Sequence, residues 1–144
     1  MASLYEEDFY QWSMKTAELV RQGLFTEIDT DHLAEELESL GRSEKREYLN
    51  RLKVLLMHLL KWQYQPARRS ISWQATIMTQ REDIVLLLED NPSFRRLGSE
   101  VVERAYPLAR KKAAFETGID IEHYPETCPY TYEQVMDEDF WPGE

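Results

Sequence analysis

Apolar residues recur along most of this chain three and four positions apart, the spacing that gathers them on one face of an α-helix. The densest run covers residues 48–90, where two strongly apolar patterns are joined at Gln65, Pro66, Ala67, Arg68 and Arg69. In the first pattern Tyr48, Leu52, Leu55, Leu59 and Trp62 follow the alternating four-and-three step of a packed seam. Leu49, Leu56 and Leu60 widen that face, and Val54 and Met57 carry it around the far side. A helix apolar around most of its circumference must be covered on every side. Residues 52–62 are therefore expected to form the central strut of a helical bundle.

The other elements follow from the same periodicity and from caps. Ser3 and Glu6 have capping-box spacing ahead of a first helix that sets Tyr5, Phe9, Trp12, Thr16, Leu19 and Val20 on one face and stops at Gly23. After a short connector, Asp29 suits the cap of a second helix through Leu40, with Ile28, Leu33, Leu37 and Leu40 inward and Gly41 as its stop. Ser43 caps the strut helix, which Pro66 ends. A fourth helix begins at Ser70 or Ser72 and runs to Asp90, burying Trp73, Ile77, Ile84, Leu87 and Leu88. After a brief helical turn over residues 93–97, Ser99 opens a fifth helix to Thr117, with Val101, Ala105, Leu108, Ala109 and Ala113 inward and Gly118 as its stop. Pro107 lies inside this helix and predicts a kink or a break, because it removes a donor and crowds the preceding turn.

From residue 119 the texture changes to aromatic–proline pairs, with one short helix from Thr131 to Met136 marked by capping-box spacing at Thr131 and Gln134. So aromatic a tail is expected to strap onto the bundle. The predicted fold is all-α: a single helical domain over residues 1–144, with a bundle core of about five main helices over 3–118 and a packed C-terminal strap over 119–144.

Charge narrows the partners. Seventeen basic residues against 27 acidic ones give a net charge of −10, so both nucleic acid and anionic membrane surfaces are repelled by the molecule as a whole. Cys128 is the only cysteine, which excludes an intramolecular disulfide and fits a reducing compartment. The first residues carry acids where a secretory leader carries bases, and the longest apolar cluster, residues 54–60, is far short of a membrane span. The expectation is a soluble, cytoplasmic protein.

A specific order of motifs adds to this reading. LAEELESLGRSEKREYLNRLKVLLMHLLKWQYQP is followed by SW, TI and QR, then by NPS, AFETGI and YPETCPYTYEQV. This succession resembles the bacterial family known as domain of unknown function 29, over nearly the whole chain. The resemblance implies a compact all-helical fold and brings no activity with it. Residues on the family's motifs are Glu35, Glu36, His58, Lys61, Trp62, Ser72, Trp73, Gln80, Arg81, Pro92, Glu116, Thr117, Pro125, Cys128 and Pro129.

Two constellations could carry chemistry. If the acidic second helix packs antiparallel on the strut, Glu35 and Glu36 approach His58, with Lys61 and Arg81 nearby. Such a polar cluster could act as an acid–base pair or hold a divalent metal, although it shows neither HExxH nor Glu-x-x-His spacing; ion pairing at the bundle edge accounts for the same residues. Trp62, Arg68, Arg69 and Trp73 gather at one end of the helix pair, where they could stack or hold an anion, or else serve as core rings beside solvated turn arginines. His32, His58, His123 and Cys128 match no zinc spacing, and no cofactor is implied. The reading that best fits is a non-catalytic interaction or regulatory module with a protein partner or a second copy. An enzyme or metal protein centred on Glu35, Glu36 and His58 comes next. A nucleic-acid-linked, antitoxin-like regulator using Arg68 and Arg69 comes last.

Overall fold

One helix runs through the molecule without interruption: α3, Thr30–Tyr64, 35 residues long. In this computed structural model, which describes residues 2–143, it follows α1 (Leu4–Glu7) and α2 (Phe9–Gln22) and precedes α4 (Ile71–Asp90), α5 (Gly98–Thr117) and α6 (Tyr132–Met136). Short 3-10 turns lie between the helices from α2 onward, and no strand occurs among the described residues, so the fold is all-α. The continuity of α3 corrects the expected stop at Gly41. A lone glycine inside a helix costs only about 1 kcal/mol against alanine, and Glu44, Lys45, Arg46 and Glu47 beyond it are good helix formers.

The N-terminal helix differs too. Ser Oγ of residue 3 accepts from the Glu6 N–H at 3.3 Å as its spacing predicts, but α1 lasts one turn. Asp8 then breaks it and caps α2, taking the Gln11 N–H at 3.0 Å. A short acidic side chain that binds nearby N–H groups favours a cap over a helix interior. Gly23 and Gly118 end α2 and α5 in the left-handed region, at φ 71° and 72°, where a side chain would be strained. Pro107 does not break α5. The carbonyl it leaves unbonded belongs to Glu103 on an exposed face, where water can serve it.

The chain divides into two compact units, one up to Glu44 and one from Lys45 onward. The second unit holds most of the buried side chains. Leu52, Leu55, Leu56, Leu59 and Leu60 are fully buried, together with Ile77 and Ile84 of α4, Ala105 and Ala109 of α5 and Val135 of α6. Each such leucine contributes roughly 1.5–3 kcal/mol by leaving water, so the strut expected over residues 52–62 is the centre of this unit. Leu108, expected inward, is instead exposed. The strap packs here as well: Tyr106 donates to the Pro125 carbonyl at 2.5 Å, and the Tyr48 and Tyr132 hydroxyls share a hydrogen bond at 2.8 Å.

The first unit is a helical hairpin made from α1, α2 and the opening turns of α3. It buries little beyond Trp12 and Thr16. Asp29 caps α3 as expected: one carboxylate oxygen takes the His32 N–H at 3.3 Å and the other meets His32 Nδ1 at 2.5 Å. The His32 ring lies stacked on Tyr5, centroids 3.9 Å apart, and Tyr5 meets Trp12 edge-on at 4.8 Å. No helix among the described residues is long and apolar enough to cross a membrane.

Candidate functional site

The N-terminal hairpin leaves its apolar seam open. Phe9, Trp12 and Val20 of α2 and Leu33, Leu37 and Leu40 of α3 line a groove of about 320 Å³. Both helices were expected to turn these faces into a core, and the structure corrects this for the outer residues: Phe9 is 50% exposed, Leu37 60% and Leu40 65%. Helical spacing marks a face as apolar without saying what covers it. Glu36 is the one charged residue in the lining. Its carboxylate accepts a hydrogen bond from the Tyr5 hydroxyl, and that bond pushes the Tyr5 phenol up to about 12. Glu36 is thus held at the groove wall by the Tyr5 hydroxyl.

The polar cluster expected around His58 does not assemble. Glu35 and Glu36 lie on the same continuous helix as His58, so the antiparallel packing of two helices that would bring them together does not exist. Glu35 is exposed, and Glu36 serves Tyr5. His58 is half-buried, with Nδ1 2.9 Å from the Val54 carbonyl of its own helix, and burial holds its imidazole below the ordinary value. Lys61 pairs instead with Glu116 of α5 at 3.0 Å and lies over the Trp73 ring at 5.8 Å. Among the described residues Arg81 pairs with no carboxylate, and Asp137 and Glu138 act on it only at longer range. Its guanidinium donates to the carbonyls of Val135 at 2.8 Å and Phe140 at 2.9 Å, pinning the strap.

The aromatic corner forms in part. Arg69 lies over Trp62, 4.9 Å from the ring centroid, and donates to the carbonyls of Trp62 at 2.8 Å and Pro142 at 3.3 Å. The second ring beside Trp62 is Trp141 of the strap, at 4.9 Å, and not Trp73. Arg68 is exposed in the turn, and Ser70 caps α4 by accepting the Trp73 N–H at 3.1 Å. Arg69 therefore works as a fastener between turn and tail, already engaged with carbonyls. Among the described residues no group of three or more His, Cys, Asp or Glu side chains could hold a metal ion. Cys128 donates to the Tyr130 carbonyl at 3.4 Å, and burial pushes its thiol up, away from the thiolate a nucleophile needs.

These features define an all-α protein with an open apolar groove in one unit and a leucine core in the other. Residues 4–141 match the family described as domain of unknown function DUF29, and the chain belongs to that family. No curated protein and no solved structure matches it.

Proposed function

We propose that the protein is a non-catalytic interaction module that docks one helix of another polypeptide in the groove of its N-terminal hairpin. The exposure of Leu37 and Leu40 beside Phe9, in line along two neighbouring helices, carries this reading. Two helices side by side present ridges with a trough between them, and the natural filler of such a trough is a third helix that sets its own ridge into it. Phe9, Val20, Leu37 and Leu40 together offer apolar surface on the order of 400 Å², about half of one side of a standard interface. That suffices for the seam of a single docked helix whose polar flanks supply the rest. A hairpin that buries little beyond Trp12 and Thr16 has much to gain from such a cover.

Photocrosslinking in native cells tests the reading. A photoreactive residue at position 9 and another at position 40, in separate proteins, are expected to capture the same polypeptide, with the crosslink mapping to one helical segment. Position 115, where Phe115 is 86% exposed in the second unit, is expected to capture nothing recurrent. Unrelated products from positions 9 and 40 would remove the groove as a docking site.

A further inference from the structure

The hairpin's charge names the chemistry of what it binds, and this step rests on the docking reading above. Up to Glu44 the chain carries eleven acidic and three basic side chains, a net −8 of the molecule's −10. Two of the three bases are already turned toward acids of their own helix, Arg21 toward Glu18 at 3.7 Å and Arg42 toward Glu38 at 3.6 Å. Glu36 sits in the groove wall itself. An apolar trough inside so negative a unit discriminates sharply between occupants. A second copy would set −8 against −8 across the seam, and like charge brought together at an interface is penalised. A helix with lysine or arginine flanking an apolar stripe gains on both counts: the stripe leaves water, and the flanks meet opposite charge.

We infer that the groove between α2 and the opening turns of α3 is a receptor for a basic amphipathic helix of a partner protein. The stripe from Phe9 to Val20 is about 16 Å long, so the partner needs roughly three turns with apolar residues at i, i+4, i+7 and i+11. Arginines or lysines flank that stripe on both sides. Attraction of this kind speeds encounter and weakens as salt screens it, while the apolar floor sets register and residence.

The test uses the full chain and a fluorescent 15-residue peptide with a leucine stripe of that spacing and lysine elsewhere, read by anisotropy across a salt series. A matched peptide with glutamate in place of lysine is the comparison. The double variant Leu37→Gln with Leu40→Gln removes the apolar floor without changing charge; Val85→Gln with Leu86→Gln does the same to exposed residues of α4. The lysine peptide is expected to bind wild type and the α4 variant alike, to bind the groove variant at least tenfold more weakly, and to loosen as salt rises. The glutamate peptide is expected to show no saturable binding. Equal binding of the lysine peptide to both variants would overturn the docking site and the inference together. Groove-dependent binding of the glutamate peptide would leave the docking site standing and overturn the basic partner. So would a concentration-dependent dimer in sedimentation that the groove variant abolishes.

Discussion

Lys61 Nζ and Glu116 Oε1 meet at 3.0 Å between α3 and α5, fifty-five residues apart in the chain. The lysine side chain is 8% exposed and the glutamate 35%. An ammonium so enclosed depends on its partner, because an unpaired buried charge is costly. Glu116→Gln is expected to destabilise the protein by about 1–2 kcal/mol in urea unfolding, less than a fully buried pair would lose because the carboxylate is partly solvated. Replacing both, Lys61→Met with Glu116→Leu, is expected to recover most of that loss. A double variant no better than the single one would show that the pair is not the reason for the cost.

Arg81 donates to two strap carbonyls and lies over the Trp141 ring, 5.6 Å from its centroid, which requires a planar fork and not merely a charge. Arg81→Lys keeps the charge yet cannot reach both Val135 and Phe140. The expected result is a loss of about 2–3 kcal/mol, with hydrogen exchange accelerating first at residues 135–141. Uniform acceleration over the whole second unit would mean that the arginine supports the core and not the strap.

How legible these contacts were depends on their range. The seam at Tyr48, Leu52, Leu55, Leu59 and Trp62 was readable because a repeated step over fourteen residues is hard to produce by chance. Caps at Ser70, Thr131 and Asp29 were readable because a cap is a bond between near neighbours. Gly41 and Ser43 misled for the opposite reason: a glycine stop and a serine cap are weak local signals, overridden where strong helix formers continue. Leu37 and Leu40 were recognised as one apolar face, but nothing local shows whether a face is covered. Tyr5 with Glu36, and Lys61 with Glu116, join residues far apart in the chain, and no spacing rule records such a meeting. Arg81 was expected beside carboxylates because side chains advertise charge, whereas the carbonyls it found are common to every residue.

The two histidines with displaced pKa values should pull stability in opposite directions with pH. Burial, reinforced by Lys61 and opposed by the Val54 carbonyl and Glu116, holds His58 below its ordinary 6.5. The unfolded chain then takes up the proton first, so this contribution is intact above 6.5 and is lost as pH falls through the folded value. The hydrogen bond to Asp29 raises His32 above 6.5, so its contribution is present below 6.5 and is lost as pH rises through the folded value. His58→Gln is expected to flatten the acid limb of a plot of urea midpoint against pH, and His32→Gln the limb above 6.5. An unchanged acid limb in His58→Gln would show that carboxylates alone set it.

Gly98 and Gly41 make a matched pair of opposite sign. A Cβ at Gly98 would sit 2.5 Å from the Tyr132 ring, closer than atoms can approach, while one at Gly41 meets nothing within 4 Å. Tyr132 cannot simply swing aside, because its hydroxyl is bonded to that of the fully buried Tyr48 at 2.8 Å. Gly41→Ala removes only backbone freedom from the middle of α3 and is expected to stabilise by about 0.5–1 kcal/mol. Gly98→Ala gains the same helix preference yet is expected to lose about 1–3 kcal/mol to overpacking. Tyr132→Ala separates the two effects: once the ring is gone, adding Gly98→Ala is expected to cost nothing or to stabilise. A penalty for Gly98→Ala that persisted without the ring would place the constraint in the backbone of α5, and the ring would not be the reason a glycine stands there.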